Sequence, residues 1–301
     1  MLDRRDHRVR RARGTVRALA THGRQALHGG VGDKISLVLA PADRPLYALR
    51  DVTATVESIP LVAASIMSKK IAEATGALVL DVEVGSGAFM SSRERARELA
   101  RTMVALGRDH DLETVAIPSA MDTSLGRTAG NALEVTEVVE VLSGGGPEDV
   151  VEITLALARE MLDLAGIGTD PALALRDGSA LEVWREMVSA QGGDPYAPLR
   201  RASRVARRTS HVARRTSHVA AVRAERSGIL SRLDARAVGV AAWQLGAGRA
   251  RKEDSVSAAA GVVWNMRPGD EVRAGEVIVE LHTDEPGRVG HALSRSTVRS
   301  A

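Results

Sequence analysis

Apolar positions between residues 52 and 190 alternate between a helical spacing and short continuous runs. The helical spacing predicts that the stretch 52–75 is helical after Pro60, which would stand at the first helical position. Further helices are predicted from Ser91 or Ser92 to about Leu106 and near 131–142, 148–164 and 179–190, the last capped by Ser179. Two runs between these helices, Leu78–Val84 and Thr114–Ile117, are typical of buried strands. This alternation predicts an α/β layer with largely parallel strands.

The pattern changes after residue 226, where short apolar runs are separated by turn residues. Strands are predicted at Ile229–Leu233, Gly261–Trp264 and Val277–Leu281, with turns at Pro268–Asp270 and Arg273–Gly275. Residues 227–286 therefore form a β-rich module with the character of a small barrel or sandwich. The tail, 287–301, is predicted to be frayed.

Two arginine-rich segments interrupt these patterns. Residues 1–28 carry eight arginines against two acidic residues, and 200–226 carries nine arginines against one glutamate. The second segment also contains a duplication, because the seven residues 205–211 are repeated at 212–218. We interpret the first as a disordered arm and the second as a mobile linker. The alternative for both is a nucleic-acid-binding surface, which the lack of aromatic residues for base stacking disfavours.

Composition narrows the class of protein. The chain has 41 basic and 38 acidic residues, so its net charge is only +3 and the arginine clusters are local. The absence of cysteine excludes disulfides, thiolate metal ligands and a cysteine nucleophile. No apolar run reaches the ~18–20 residues of a membrane span, and the arginine-rich start does not resemble a secretory signal. These features favour a cytoplasmic protein.

Two local patterns could bind small molecules. The glycine-rich stretch from Gly29 to Gly32 precedes the apolar run Ile35–Ala40, and its backbone amides could face an anion such as phosphate. Ser65 and Lys69 are four residues apart in the first predicted helix, so they share one helix face.

Long collinear segments, which together cover about two-thirds of the chain, resemble the thymidine phosphorylases and pyrimidine-nucleoside phosphorylases. Two of them are Gly144–Leu164 and Gly261–Asp284, and four more carry the resemblance most clearly. These four read LYALRDVTATVESIPLVAASIMSKK at 46–70, LVLDVEVGSGAFM at 78–90, LGRTAGNALEVTEV at 125–138 and LDARAVGVAAWQLGAGRARK at 233–252. The resemblance implies a small helical domain beside a larger α/β domain, with nucleoside and phosphate bound in the cleft between them. It also implies a homodimer and reversible phosphorolysis, in which phosphate displaces the pyrimidine from C1′ of the sugar.

The resemblance also implies roles for individual residues. Arg50, Ser65 and Lys69 would contact the pyrimidine, with Arg50 and Lys69 stabilising the negative charge that the leaving base gathers. The phosphate-binding positions would be Gly29, Gly30 and Ser36. A monovalent cation such as K⁺ would be held by backbone oxygens of Leu125 and Thr128 and by Glu137. The co-substrate is phosphate, and no organic cofactor is expected.

The chain departs from the family pattern at the phosphate site. Gln25, Ala26, Leu27 and His28 stand where the family has Lys-His-Ser-Thr before its glycines, and Pro41 is followed directly by Ala42 where a Ser-Gly-Arg-Gly…His-Thr-Gly-Gly-Thr segment is expected. Two further hypotheses therefore stay open. One is a non-catalytic remnant that binds pyrimidines weakly, and the other is a basic nucleic-acid-binding protein.

The predicted organisation has five parts. They are a basic arm at 1–28, a phosphorylase core at 29–199 with its helical base-binding part at 42–72, the linker at 200–226, the β-rich module at 227–286 and the tail at 287–301. The predicted fold class is α/β: the remnant of a helical domain, a mixed α/β domain and a barrel-sandwich-like C-terminal module.

Overall fold

The computed structural model describes residue 42 and residues 57–73, 75–197, 218–249, 254–293 and 299–300. The chain divides into two compact units. Unit 1 takes the described residues of Met1–Val84, Phe89–Ser119 and Ile153–Pro195, and unit 2 those of Gly85–Ala88, Ala120–Glu152 and Tyr196–Ala301. The mixed α/β class predicted from the sequence is confirmed. No helix in the described part of the chain has the length and apolar character needed to cross a bilayer.

Unit 1 is built around helices that cover a two-stranded sheet. Its first elements are α1 (Ile59–Ala72), β1 (Ala77–Val84), α2 (Arg93–Asp109) and β2 (Glu113–Ala120), and β1 pairs with β2. Helix α1 buries Ile59, Ala63 and Met67, which lie four residues apart and pack in one cluster with Leu99 and Met103 of α2. This packing determines which faces of α1 remain accessible for binding.

The residue that caps α2 is the one predicted from the sequence, whereas the cap of the last predicted helix, at 179–190, is a different residue. Ser92 caps α2, because its hydroxyl accepts a hydrogen bond from the amide of Arg95 at 3.3 Å. The later helices are α4 (Glu148–Leu164), α5 (Ala172–Arg176) and α6 (Ser179–Ala190). The prediction that Ser179 caps α6 is wrong: Gly178 occupies the cap with φ +80°, and Ser179 is the first helical residue.

Unit 2 combines two antiparallel sheets with helices. Its elements are β3 (Thr128–Ala129), α3 (Asn131–Leu142), β4 (His218–Arg223), β5 (Gly228–Arg232), α7 (Ala235–Ala242) with a π-helical turn at Trp243–Ala247, β6 (Gly261–Trp264), β7 (Glu271–Val272), β8 (Val277–Thr283), α8 (Arg288–Leu293) and β9 (Arg299–Ser300). One sheet has the order β3-β6-β8-β4 and the other β7-β5-β9. Leu230, Leu245, Trp264 and Leu281 lie in its core.

The structure corrects two expectations for the C-terminal half. Strand β4 lies within the segment 200–226, interpreted as a linker, and pairs with β8 from His218 to Arg223. Residues 200–217 of that segment, and the whole arm at 1–28, lie outside the described residues. Helix α8 lies within the tail predicted to be frayed, and its Ala292 is fully buried. Both elements are ordered by apolar contacts with β8 or α7, which the local sequence does not reveal.

Candidate functional site

The Ser65 and Lys69 side chains lie together on α1, away from its buried stripe. Both are half-buried, and Lys69 Nζ lies 3.5 Å from Ser65 Oγ, to which it donates. The i,i+4 spacing on a regular helix brings them together, as the sequence predicts. Lys69 also lies in the last turn of α1, where the helix dipole favours a cation. The pair thus presents a hydroxyl and an ammonium side by side.

Lys70, the next residue along the helix, has different surroundings. Its Nζ forms an ion pair with Glu73 Oε2 at 3.1 Å, one turn further along the chain. Lys69 and Lys70 therefore share a helix turn, charge and length but differ in their partners. This difference makes Lys70 a matched control for the role of Lys69.

The remaining predicted pyrimidine and phosphate residues lie outside the described part of the chain. Arg50, Gly29, Gly30 and Ser36 belong to this group. Their roles stay predictions.

The three residues predicted to bind a cation lie around one turn of unit 2, which we name the 125–128 loop after its residues. Gly126 adopts φ +72°, and a Cβ at this position would overlap Oε2 of Glu137. Oε1 of the same carboxylate accepts a hydrogen bond from the amide of Arg127 at 2.8 Å. The Glu137 carboxylate therefore packs directly on the loop backbone, and only glycine fits beneath it.

A second carboxylate and an arginine, neither of them predicted from the sequence, complete this cluster. Asp149, in the first turn of α4, accepts the Gly126 amide through Oδ2 at 3.0 Å. Nη2 of Arg267 donates to Asp149 Oδ1 at 2.8 Å and to the carbonyl oxygen of Gly126 at 3.0 Å. Arg267 and Asp149 are 118 positions apart, so no periodic signal in the sequence links them.

The two carboxyl groups respond differently to this environment. Burial raises the pKa of Glu137 above its ordinary value, and the hydrogen bond from the Arg127 amide only partly opposes this. Burial also acts to raise the pKa of Asp149, but hydrogen bonds from Arg267 and the Gly126 amide outweigh it and leave the pKa lowered. The nearby hydroxyl of Thr128 also acts to lower the pKa of Glu137. The Oγ1 atom of Thr128 is buried and forms no hydrogen bond of regular geometry.

The charged side chains that contact the 125–128 loop carry a small net negative charge. Glu137 and Asp149 contribute −2 and Arg267 contributes +1, so the net charge of the three groups is −1. Nowhere among the described residues do three or more His, Cys, Asp or Glu side chains converge as metal ligands.

Two family models match the chain in tandem. The α/β domain of a glycosyl transferase family matches residues 35–181, and the pyrimidine nucleoside phosphorylase C-terminal domain matches residues 229–298. The chain is 56% identical over 255 residues to a thymidine phosphorylase of Mycobacterium tuberculosis, an alignment that covers 84% of this chain and 56% of the relative. The chain belongs to the pyrimidine-nucleoside phosphorylase family.

Two further members of the family show how far the similarity extends. Pyrimidine-nucleoside phosphorylases of Staphylococcus haemolyticus and Bacillus subtilis are 43% and 42% identical to this chain, over 82% and 84% of its length. The alignments cover 56% and 59% of those relatives, so the chain spans little more than half the length of the curated phosphorylases it matches.

The Ser65–Lys69 pair and the two carboxylates at the 125–128 loop lie within the part of the chain that the glycosyl transferase family model matches. Arg267 lies outside that part. Ser65, Lys69, Glu137 and Asp149 fall within residues 35–181, whereas Arg267 falls within the C-terminal domain match at 229–298. The cluster around the 125–128 loop is therefore assembled from both matched segments.

Proposed function

We propose that the chain catalyses phosphorolysis of a pyrimidine nucleoside. A phosphate oxygen forms a bond to C1′ as the glycosidic C–N bond breaks, and the products are the free pyrimidine and a pentose 1-phosphate. The observation that carries the proposal is the Ser65–Lys69 pair on α1, in a chain that belongs to the pyrimidine-nucleoside phosphorylase family. Phosphate is the co-substrate, and no organic cofactor takes part.

Lys69 and Arg50 are the proposed catalytic residues. As the C–N bond breaks, the pyrimidine gathers negative charge on its carbonyl oxygens and ring nitrogen. An ammonium group and a guanidinium group that face the base stabilise this charge more in the transition state than in the bound substrate, which is the condition for catalysis. Ser65 exchanges hydrogen bonds with the edge of the ring and fixes the orientation of the base.

The proposed phosphate site uses Gly29, Gly30 and Ser36. Backbone amides of a glycine-rich turn can approach a phosphate closely, and a serine hydroxyl adds a further donor. Because Gln25, Ala26, Leu27 and His28 replace the Lys-His-Ser-Thr stretch of the family, we expect a slow reaction. The loss of one preorganised contact typically raises the barrier by ~2.7–4 kcal/mol.

We further propose that the 125–128 loop holds a monovalent cation through backbone oxygens of Leu125 and Thr128 and the Glu137 carboxylate. Gly126 supports this assignment because its φ of +72° and lack of a side chain let the carboxylate reach the loop. A bound K⁺ would add a fixed positive charge that holds the loop in one conformation.

The finer architecture belongs to the same proposal. Residues 227–286 form a barrel-sandwich-like module, and residues 29–199 form the phosphorylase core with its helical part at 42–72. Homodimeric assembly rests on the resemblance to the family, whereas a cytoplasmic location is proposed from the composition of the chain. Binding to nucleic acid is not part of the proposed function.

The test compares base release by the wild-type chain, Lys69→Ala and Lys70→Ala, with thymidine and with uridine, at saturating phosphate. We expect Lys69→Ala to lower kcat by ~10²–10³-fold, as for the loss of one charge-stabilising group. Lys70→Ala should retain wild-type activity, because its ammonium is paired with Glu73. Equal losses in the two variants, with folding verified by circular dichroism, would refute the role of Lys69.

A further inference from the structure

Arg267 provides a fixed positive charge inside the cluster that surrounds the 125–128 loop. Its guanidinium lies between two acceptors, the carbonyl oxygen of Gly126 and the carboxylate of Asp149. It is half-exposed, with 39% of the side chain accessible. One backbone carbonyl of the loop and one of the two carboxylates are thereby occupied by this side chain.

The main chain holds Arg267 in this position. The amide of Arg267 donates to Asp270 Oδ2 at 2.7 Å, and the amide of Asp270 donates to the carbonyl oxygen of Arg267 at 3.0 Å. At the end of β6, the amide of Trp264 donates to the carbonyl oxygen of Arg127 at 3.0 Å. These hydrogen bonds attach the segment that carries Arg267 to the loop itself, so the guanidinium is preorganised against Asp149.

This arrangement determines the charge that an added ion would meet. Without Arg267, the carboxylates of Glu137 and Asp149 would give the cluster a charge of −2, which is suited to a divalent cation with oxygen ligands. With Arg267 in place the charge is −1, and one carboxylate and the Gly126 carbonyl oxygen are already hydrogen-bonded. Arg267 therefore makes the cluster less negative by one unit of charge, which weakens its attraction for a divalent ion more than for a monovalent one.

We propose that Arg267 is the residue that makes the 125–128 loop selective for monovalent over divalent cations. The inference rests on the cation site named in the proposed function, and it deepens that assignment. Arg267 could act through structure or through charge, and the two roles differ in their effect on binding. A residue that only held the loop in place would affect all cations alike. A residue that sets the charge changes the ratio of monovalent to divalent affinity.

Three variants give a matched series of net charges. Arg267→Met changes the cluster charge from −1 to −2, Asp149→Asn changes it to 0, and the double variant restores −1 with both partners altered. Arg267→Lys keeps the charge while losing the planar fork of the guanidinium. Double-mutant comparison of this kind isolates the coupling between the two side chains.

The experiment is thermal unfolding of the full chain in KCl, in CaCl₂ and in choline chloride at constant ionic strength. An ion that binds only the folded state stabilises it by RT ln(1 + [ion]/Kd), so the rise in Tm at several ion concentrations yields the affinity without any catalytic activity. We expect KCl to raise the wild-type Tm above its value in choline chloride. We expect Arg267→Met to raise the ratio of Ca²⁺ affinity to K⁺ affinity by at least ~10-fold, because it removes one positive charge within contact distance of the ion.

The other variants and outcomes decide between charge and bracing. Arg267→Lys and the double variant should keep the wild-type preference for K⁺, and Asp149→Asn should lose the K⁺ response without gaining one to Ca²⁺. An unchanged ratio in Arg267→Met, or a double variant that fails to recover the preference, overturns the role of Arg267 but leaves the cation site intact. No K⁺ effect on the wild type overturns both the inference and the cation site, and it leaves phosphorolysis to its own test. If Arg267→Met does not fold, Arg267→Gln takes its place in the series, because it removes the same positive charge and keeps a hydrogen-bond donor beside Asp149.

Discussion

Replacement of Gly126 by alanine tests the packing of Glu137 on the 125–128 loop. The backbone of Gly126 has φ +72°, a conformation that costs an L-residue roughly 1–2 kcal/mol. The new Cβ would overlap Glu137 Oε2, and it would also lie 3.2 Å from Cγ2 of Val150. The carboxylate must therefore move away and give up its hydrogen bond from the amide of Arg127.

The two effects have separable magnitudes. A hydrogen bond to a charged group contributes about 1.5–3 kcal/mol to stability. Together with the backbone strain, Gly126→Ala should lower the free energy of unfolding by about 2.5–5 kcal/mol. Gly275 supplies the control, because it lies in the same unit with φ +82° and its added Cβ would meet no atom within 4 Å. Gly275→Ala should show the backbone strain alone, about 1–2 kcal/mol.

The assay is urea unfolding monitored by tryptophan fluorescence. Trp264 is a suitable probe, because it is only 1% exposed and its amide donates to the carbonyl oxygen of Arg127 in the loop. In a Glu137→Ala background the cost of Gly126→Ala should fall to that of Gly275→Ala, since no carboxylate remains to be displaced. Equal costs for the two glycine variants in the native background, or an unchanged cost in the Glu137→Ala background, would refute the reasoning.

Three further predictions concern stability. Burial of His282 lowers its pKa below the ordinary value of 6.5, although Glu280 opposes this shift, so at acidic pH the unfolded chain binds more protons than the folded one. The free energy of unfolding should therefore fall as pH drops below about 6.5, by at most ~1.4 kcal/mol per pH unit. His282→Gln should flatten this pH dependence in urea unfolding at pH 7.5, 6 and 5, and an unaltered slope would contradict the prediction. Asp234→Ala removes the N-cap of α7 and the acceptor of the Ser86 hydroxyl, so it should lower the free energy of unfolding by about 2–3 kcal/mol. A change below about 0.5 kcal/mol would argue against these contacts. Met67→Ala should cost about 2–5 kcal/mol in the same assay, because Met67 is 1% exposed, and a cost under about 1 kcal/mol would show that α1 does not pack as described.

Local sequence signals predict the elements that depend on near neighbours. The Ser92 cap, the β1 and β6 strands and the contact between Ser65 and Lys69 follow from spacing within a few residues, and the structure confirms them. The Ser179 cap failed because Gly178 takes the left-handed conformation that a serine there would not, and Asp177 accepts the amide of Ser179 instead.

Distant pairings escape this kind of prediction. Strand β4 follows an arginine-rich duplication whose composition hides the alternation, and it is stabilised by β8, some 60 residues along the chain. Arg267 reaches Asp149 only because β6 pairs with β3 and carries the following turn to the 125–128 loop. The resemblance to the family selects Leu125, Thr128 and Glu137, but the sequence contains no local signal for Gly126 or for Arg267.

The most direct measurement follows labelled inorganic phosphate through the reaction with thymidine and with uridine. Base release and labelled pentose 1-phosphate are quantified together at several phosphate concentrations, with Lys69→Ala and Lys70→Ala in parallel. Phosphorolysis predicts one labelled pentose 1-phosphate for each base released, no release without phosphate, and a selective loss in Lys69→Ala. Release of base with unlabelled free sugar, or no release by wild-type protein that is shown to be folded, would contradict the proposed function.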